Sequence, residues 1–540
     1  QIDESPEELS KILTDLGLEI GGIEKRESIK GGLDGLVIGE VKEKFQHPNA
    51  DKLSCTKVDV GANDLLSIVC GAPNVAAGQK VVVATIGTTL YSDTDSFKIK
   101  KSKLRGELSE GMICAEDEIG LGKSHDGILI LPSDVKIGTL AKEYFNVEED
   151  YILDVDITPN RADALSHFGV ARDLSAYYKF NGREITAKFP SINELDKKAN
   201  LPFQINIEDR EACSRYVGVS IKGVSVGNSP DWLQKRLNSI GLTPINNIVD
   251  VTNFVLHELG QPLHAFDYAI SGQEVNVKSN LGGEKFITLD GEERELKNGQ
   301  LIICNQKEPL CIAGVFGGEK SGVTESTTDV FLESAYFNPV SVRTTSKDHG
   351  LKTDASFRFE RGVDPLMTLK ALKRAANLIL EVAGGQVASD VSDIIVREVN
   401  PFEVDFSFSR CNLLLGDVLP KDKIKNILTS LEIEIVSESD DQLKLLVPPY
   451  RVDVQRECDV IEDILRVYGF NEISIPTSLK SSIIVSDGVP QQKIVKEISN
   501  LLANNGFNEI LNNSLTKKEH YESLEEDPKY SNIELLNPLS

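Results

Sequence analysis

ESAYFNPVSVRTTSKDHGLKTDASFRFERGVD, residues 333–364, gathers more chemistry-bearing side chains than any other stretch of the chain. Glu333, His349, Thr353, Asp354, Ser356, Arg358, Glu360 and Arg361 follow one another with no sustained period of 3.6 or 2, so irregular backbone is expected. The apolar run VFLESAYF (330–337) enters the stretch as a strand. A helix is expected to leave it, with Asp364 as N-cap, Pro365 at the first helical position, and Leu366, Leu369, Leu372 and Ile379 along one face up to Gly384. With both ends tied to a core, the segment reads either as a site of chemistry or as a solvated loop closed by arginine–carboxylate pairs.

Outward from there, 540 residues are too many for one hydrophobic core, and roughly three to five domains are expected. No apolar run approaches the roughly 20 residues that span a bilayer, and Gln1 opens directly into IDESPEEL, so neither a membrane span nor a signal peptide is expected. The absence of an initiator Met points to a trimmed chain. Eight cysteines are scattered without a CxxC pair, which fits reduced thiols of the cytosol and neither disulfides nor a zinc site. With 58 Lys and Arg against 84 Asp and Glu, the net charge of −26 repels a polyanion at long range, so any nucleic-acid contact must be local. The one basic run is Lys98, Lys100, Lys101, Lys103 and Arg105, which reads either as a track for a phosphate backbone or as a solvated hairpin edge.

In chain order, Ser5, Pro6 and Glu8 form a capping box ahead of Leu9, Ile12, Leu13 and Leu16, a helix that Gly17 stops. From Leu36 to about Leu131 short β-rich runs alternate with Gly, Asn, Asp and Pro turns, as in a small barrel of the oligonucleotide-binding type. A helix is expected at 164–177 with Leu165, Phe168, Ala171 and Leu174 inward, and FPSINELDKKANLP (189–202) reads as a linker. Near the C-terminal end, helices are expected at 421–431 and 458–468. The second carries Asp459, Glu462 and Asp463 on one face opposite Ile461, Ile464, Leu465 and Tyr468. Those carboxylates, with Asp453 just upstream, suit a hard divalent ion, although acidic residues in a first helical turn are also favoured by the helix dipole. A further amphipathic helix starts at Gln491 and ends at Gly506.

Five motifs carry a family resemblance. HPNADKLSCTKVDVG (47–61) with IVCGAPNV (68–75) looks like the tRNA-binding barrel appended to several synthetases. DVDITPNRADALSHFGVARDLSA (154–176), VDVTNFVLHELGQPLHAFD (249–267), CIAGVFGGEKSGV (311–323) and PPYRVDVQRECDVIEDILRVYGF (448–470) resemble the β subunit of bacterial phenylalanyl-tRNA synthetase, and the likeness covers essentially the whole chain.

The resemblance implies a multidomain α+β protein. Its parts are a small α+β domain (1–35 and 140–190) with an oligonucleotide-binding-type barrel inserted (36–139) and a two-part α+β editing domain (200–400). A small helix-containing α+β domain (401–476) and the start of a class II synthetase-like domain (477–540) follow. It implies an editing pocket at His264, Gly314, Gly317, Glu333, Thr353 and Ala355, with Glu333 accepting the hydroxyl of a tyrosyl group. It also implies a Mg²⁺ at Asp453, Asp459, Glu462 and Asp463, shared with the α subunit, with Asp463 replacing the usual Glu. The implied partners are tRNA(Phe) and an α subunit in an α2β2 assembly, where α uses ATP, and no membrane or DNA is expected. Thr243 stands where many relatives carry Arg, and Arg358 and Arg361 are the candidates to replace its contact with the tRNA end. A nonenzymatic scaffold that holds tRNA and docks α, its pocket inactive because of Thr243, is the alternative.

Overall fold

Helix α1 (Pro6–Asp15) begins at the expected capping box: the Ser5 hydroxyl accepts the Glu8 amide, and the Glu8 carboxylate accepts the Ser5 amide at 3.0 Å. In this computed structural model the described residues are 3–91, 96–122, 124, 126–147, 149–478, 481–482, 490–520 and 533–535. Residues 1–474 form one unit and 475–540 another. The fold is mixed α+β, and no helix among the described residues is long and apolar enough to cross a membrane.

After β1 (Glu19–Glu27) come β2 (Leu36–Gln46), β3 (Ser54–Asp59), β4 (Leu66–Cys70), β5 (Lys80–Thr85) and β6 (Gly111–Ile113), paired in the order β6-β5-β2-β3-β4. The Glu110 amide donates to Ser67 O at 2.7 Å and draws the two outer strands together, so the barrel is nearly closed. The alternation of small β-branched residues decides this: Val41, Val58, Ile68, Val81 and Val83 point into one interior cluster. All five residues of the basic run are exposed beside the barrel, and Lys101 pairs with Glu110 at 2.8 Å.

Strand β7 (Glu149–Asp156) returns to pair antiparallel with β1. The following helix, α2 (His167–Phe180), starts later than expected because Ala162–Ala164 takes a tighter 3-10 turn and Ser166 caps the Gly169 amide. Its buried positions include Asp173, a charge that the apolar reading of this helix missed. Residues 189–202 are irregular as expected, yet they are docked: the Asn193 amide donates to Asn377 Oδ1, and the Leu201 amide to Ala388 O.

The central region has three layers. One sheet pairs β9 (Cys213–Lys222), β10 (Leu263–Asp267), β15 (Asp329–Phe337) and β16 (Ser392–Ile395), with β15 between β10 and β9 and with β16 on the other side of β9. The other runs β8 (Gln204–Ile207), β11 (Glu274–Lys278), β12 (Ile302–Cys304), β13 (Pro309–Ile312) and β14 (Phe316–Gly317). Period-2 alternation sorts the first sheet's side chains. Val217, Val219, Leu332 and Ala265 pack on helices α3 (Asn247–Leu259) and α6 (Met367–Val382), while Tyr216, Phe331, Ala335 and Phe266 face the second sheet.

The segment expected to be irregular after β15 instead holds two helices, α4 (Pro339–His349) and α5 (Asp354–Phe359). Asn338 caps the first by accepting the Val340 and Ser341 amides, and Gly350 closes it at φ +65°. It shows little apolar period because only Val342, Thr345 and Ser346 are buried along it, and α5 is too short to show one. Helix α6 begins at Met367, later than expected; Asp364 caps a preceding turn by accepting the Leu366 amide at 2.9 Å.

The last part of this unit has a sheet ordered β17 (Phe402–Ser407), β19 (Gln442–Val447), β18 (Glu434–Glu438), with helices α7 (Lys421–Ser430) and α8 (Glu457–Tyr468). It meets α2 through buried ions. Arg161 reaches Asp163 at 3.1 Å and Asp173 at 2.5 Å; Arg466 reaches Asp173 at 2.8 Å and Asp463 at 3.1 Å. Arg451 reaches Asp463 at 2.5 Å and lies 3.8 Å from Asp163. Burial alone would raise the Asp173 carboxyl, but the Arg466 and Arg161 charges more than offset it and hold it well below the usual range. The expected acidic face of α8 is therefore corrected at Asp463. That residue is buried because α8 packs on α2 as well as on its own sheet. In the second unit, α9 (Gln491–Asn504) forms where the sequence places it.

Replacing Asp463 by Ala strips Arg451 and Arg466 of a shared counter-charge in a site water does not reach. It is expected to destabilise the first unit by about 3–5 kcal/mol in chemical unfolding, and a loss below about 1 kcal/mol would show that the network is dispensable.

Candidate functional site

Glu333 sits in the middle of β15, on the face turned to the second sheet, and is 4% exposed. Antiparallel register places His264 of β10 directly opposite it on one side and Gly218 of β9 on the other. Two residues from Gly218, on the same face, Tyr216 donates its hydroxyl to Glu333 Oε2 at 2.7 Å. No hydrogen bond reaches Glu333 Oε1 among the described residues. Burial pushes the carboxyl up to about 8, against which the Tyr216 hydrogen bond acts only partly. At neutral pH burial thus favours the neutral carboxyl over the ionised one.

His264 stacks edge-on against Phe266 with ring centroids 4.3 Å apart, and its Nε2 is enclosed without a partner. Burial pushes this imidazole down to about 4, so it too is uncharged at neutral pH. Gly317 is the residue that gives the ring its place, because a Cβ there would lie 2.9 Å from His264 Cε1.

Residues 314–317 join these groups to the rest of the predicted pocket. Gly314 holds φ +69°, and a Cβ on it would meet Phe359 at 2.9 Å and Phe337 at 3.0 Å. Thr353, the N-cap of α5, accepts the Ser356 amide and donates its hydroxyl to Val315 O at 2.9 Å. Ala355, two residues on, packs against the inter-sheet core. Four of the six predicted residues meet at one turn: Gly314 and Gly317 lie in it, His264 packs against Gly317 and Thr353 bonds Val315 O, while Glu333 adjoins this group through its register with His264. Tyr216 was not foreseen. Its strand shows alternation, but its pairing with a residue 117 positions away is invisible in sequence.

The arginines are placed differently from expectation. Arg358 is buried, donating to Leu165 O, to Asp354 and to His257 Nδ1, so it cannot replace the missing cation at Thr243. Arg361 lies over the Phe357 ring and pairs with Glu360 at 2.5 Å. Thr243 itself is exposed.

The four expected metal ligands do not converge. Asp463 is held by Arg451 and Arg466, and Asp459 accepts the Arg456 amide and guanidinium. Glu462 is exposed, and Asp453 keeps an enclosed Oδ1 without a partner. Among the described residues no group of three or more His, Cys, Asp or Glu is placed to hold a metal ion. The side chains as they stand do not fit a Mg²⁺.

Family models match along the chain: a putative tRNA binding domain over residues 36–140, a B3/4 domain over 212–384 and a tRNA synthetase B5 domain over 404–470. A phenylalanyl tRNA synthetase β chain CLM domain matches 475–540. Proteins named phenylalanine–tRNA ligase β subunit are 54% identical over 541 residues in Bacteroides fragilis and 52% over 539 in Porphyromonas gingivalis. The one from Geobacter metallireducens is 42% identical over 542 residues. These alignments cover 99–100% of this chain and 66% of each relative, so the chain spans about two thirds of their length. With a likeness that runs from end to end and through four successive modules, the chain belongs to the phenylalanyl-tRNA synthetase β-subunit family.

Proposed function

We propose that this chain serves a phenylalanine–tRNA ligase by binding tRNA(Phe), supporting an α subunit in ATP-dependent aminoacylation within an α2β2 assembly, and hydrolysing mischarged Tyr-tRNA(Phe). The observation that carries the editing reading is a phenol hydroxyl, that of Tyr216, already hydrogen-bonded at 2.7 Å to a buried carboxyl whose other oxygen has no partner. Phenylalanine and tyrosine differ by one hydroxyl, and an apolar pocket rejects an added hydroxyl by only about 100-fold. A second site that welcomes the hydroxyl supplies the rest. A hydrogen bond to a neutral carboxyl is worth about 0.5–1.5 kcal/mol, or up to roughly one decade of preference.

In this reading Glu333 Oε1 meets the tyrosyl phenol, and neutral His264 holds the attacking water by accepting from it at a ring nitrogen. The water oxygen adds to the ester carbonyl, the bond to the terminal ribose breaks, and the ribose oxygen leaves with a proton drawn from that water. Gly317 contributes by keeping the imidazole in place. We also propose the barrel as the tRNA module, the division into parts given above, and the cytoplasm as the compartment, in keeping with eight unpaired cysteines. The scaffold alternative draws on one observation: Arg358 and Arg361 are both engaged elsewhere, and Thr243 offers no cation to a tRNA end.

The full-length chain with its α partner is expected to hydrolyse Tyr-tRNA(Phe) faster than Phe-tRNA(Phe). Glu333→Ala should cut that preference by up to about one decade, and His264→Ala should slow both esters. Rates no faster than spontaneous hydrolysis, with aminoacylation intact, would leave the scaffold.

The protonation state has its own signature. Because the folded carboxyl titrates at about 8 and the unfolded one near 4.5, the folded state binds the extra proton between these values. The stability contributed by Glu333 therefore falls as pH rises through that window. His264, depressed to about 4 from 6.5, acts oppositely, losing stability as pH falls below about 6.5. Between pH 6.5 and 8 the parent's melting temperature should fall relative to that of Glu333→Gln, which has no carboxyl to ionise. Parallel curves would mean that Glu333 is already ionised at neutral pH.

A further inference from the structure

Resting on the editing reading, we propose that Tyr216 is the positioning residue for discrimination: its hydroxyl holds one oxygen of Glu333 so that the other is presented to a phenolic substrate.

The register leaves the carboxyl few alternatives. On β9 the position directly across from Glu333 is Gly218, which has no side chain to offer, and on β10 it is His264. Tyr216 supplies the one hydrogen bond the carboxyl makes among the described residues. The surroundings are otherwise apolar: Phe331 two residues before Glu333 and Ala335 two residues after it belong to the same inter-sheet cluster. A carboxyl in such a layer without a fixed partner has several rotamers of similar energy and no defined direction in which to meet a ligand. With Oε2 taken by Tyr216, Oε1 is singled out.

The opposite role, a resident phenol that the substrate must displace, fits the packing poorly. Tyr216 is fully buried, its ring lies in the inter-sheet cluster, and leaving would open a cavity beneath β15. It is anchored on a central strand that pairs along its length with β15 and also with β16. A group placed this way stays put while a ligand enters from the other side. The raised carboxyl titration supports the same arrangement, since a protonated Oε1 can donate to the phenol oxygen of a substrate while Oε2 accepts from Tyr216.

The test uses the full-length chain assembled with its α partner. Hydrolysis of Tyr-tRNA(Phe) and Phe-tRNA(Phe) is followed over a range of concentrations for the parent and for Tyr216→Phe, whose thermal transition is checked alongside. The expected result is a fall of about tenfold in the tyrosyl-to-phenylalanyl ratio of kcat/KM, carried by the tyrosyl ester. A purely structural role would slow both esters alike and leave the ratio where it was, which overturns the proposal. Failure of the parent to hydrolyse either ester would remove the editing reading itself and this inference with it. Should Tyr216→Phe not fold, a crystal structure of the parent complex with L-tyrosine decides. Two phenols on one carboxyl, Tyr216 at Oε2 and the ligand at Oε1, support the proposal, whereas a ligand phenol at Oε2 with Tyr216 displaced overturns it.

Discussion

Three arginines and three aspartates neutralise one another where water is excluded, and the first unit is assembled around that constraint. Arg161, Asp163 and Asp173 come from the segment that follows β7, Arg451, Asp463 and Arg466 from the end of the unit. Arg466 also donates to Leu16 O, so the first turn after α1 is tied into the same cluster. Ion pairs of this depth repay little more than their own desolvation, but removing any one member leaves a buried charge unmatched. Their contribution is therefore to specificity of docking, because a slipped arrangement would strand charges that the native one pairs. It also explains why α8 is buried on two sides, and why a carboxylate expected to face solvent or a metal faces two guanidinium groups instead.

The layer between the two central sheets obeys the opposite rule. There the ionisable groups are kept uncharged rather than paired: Glu333 by retaining its proton and His264 by losing one. A neutral carboxyl beside a neutral imidazole can both donate and accept without a counterion. It can therefore distinguish a hydroxyl from a hydrogen more sharply than it distinguishes charges. The backbone around residues 314–317 makes this possible by withholding side chains where an imidazole and two phenyl rings need the space.

Much of this was legible in advance, for identifiable reasons. Ser5 and Glu8 announce α1 because capping is local, and the barrel shows itself because alternation of Val and Ile needs no knowledge of partners. The strand over 330–337 was expected from its apolar run, His264 and Glu333 were named together from the family's motifs, and the register brings these two face to face. What stayed hidden depends on contacts across the chain. Helix α4 carries polar residues nearly all round, so its Asn338–Pro339 start and Gly350 stop were the only signals. Asp463 was assigned to the wet face of α8 because amphipathic reasoning grants a helix one buried side. Arg358 looked available for a ligand because nothing in the sequence says that Leu165 O and His257 lie within its reach. Tyr216 was passed over because cross-strand neighbours on a face cannot be read from one strand.

The ribbon formed by β1 and β7 ends with Glu27 opposite Glu149, so the chain departs for the barrel and comes back at the same point. Joining two strands across so long an intervening segment is entropically expensive while that segment is disordered, and cheap once it has folded and brought its own ends together. The expected order is therefore the barrel first, on local strand pairings, and the ribbon afterwards. Asp163 and Asp173, just beyond β7, also need Arg451 and Arg466, which lie near the far end of the unit. For a polypeptide emerging from the ribosome, the first turn after α1 therefore waits for Arg466, 450 residues further on, before its Leu16 carbonyl finds that partner.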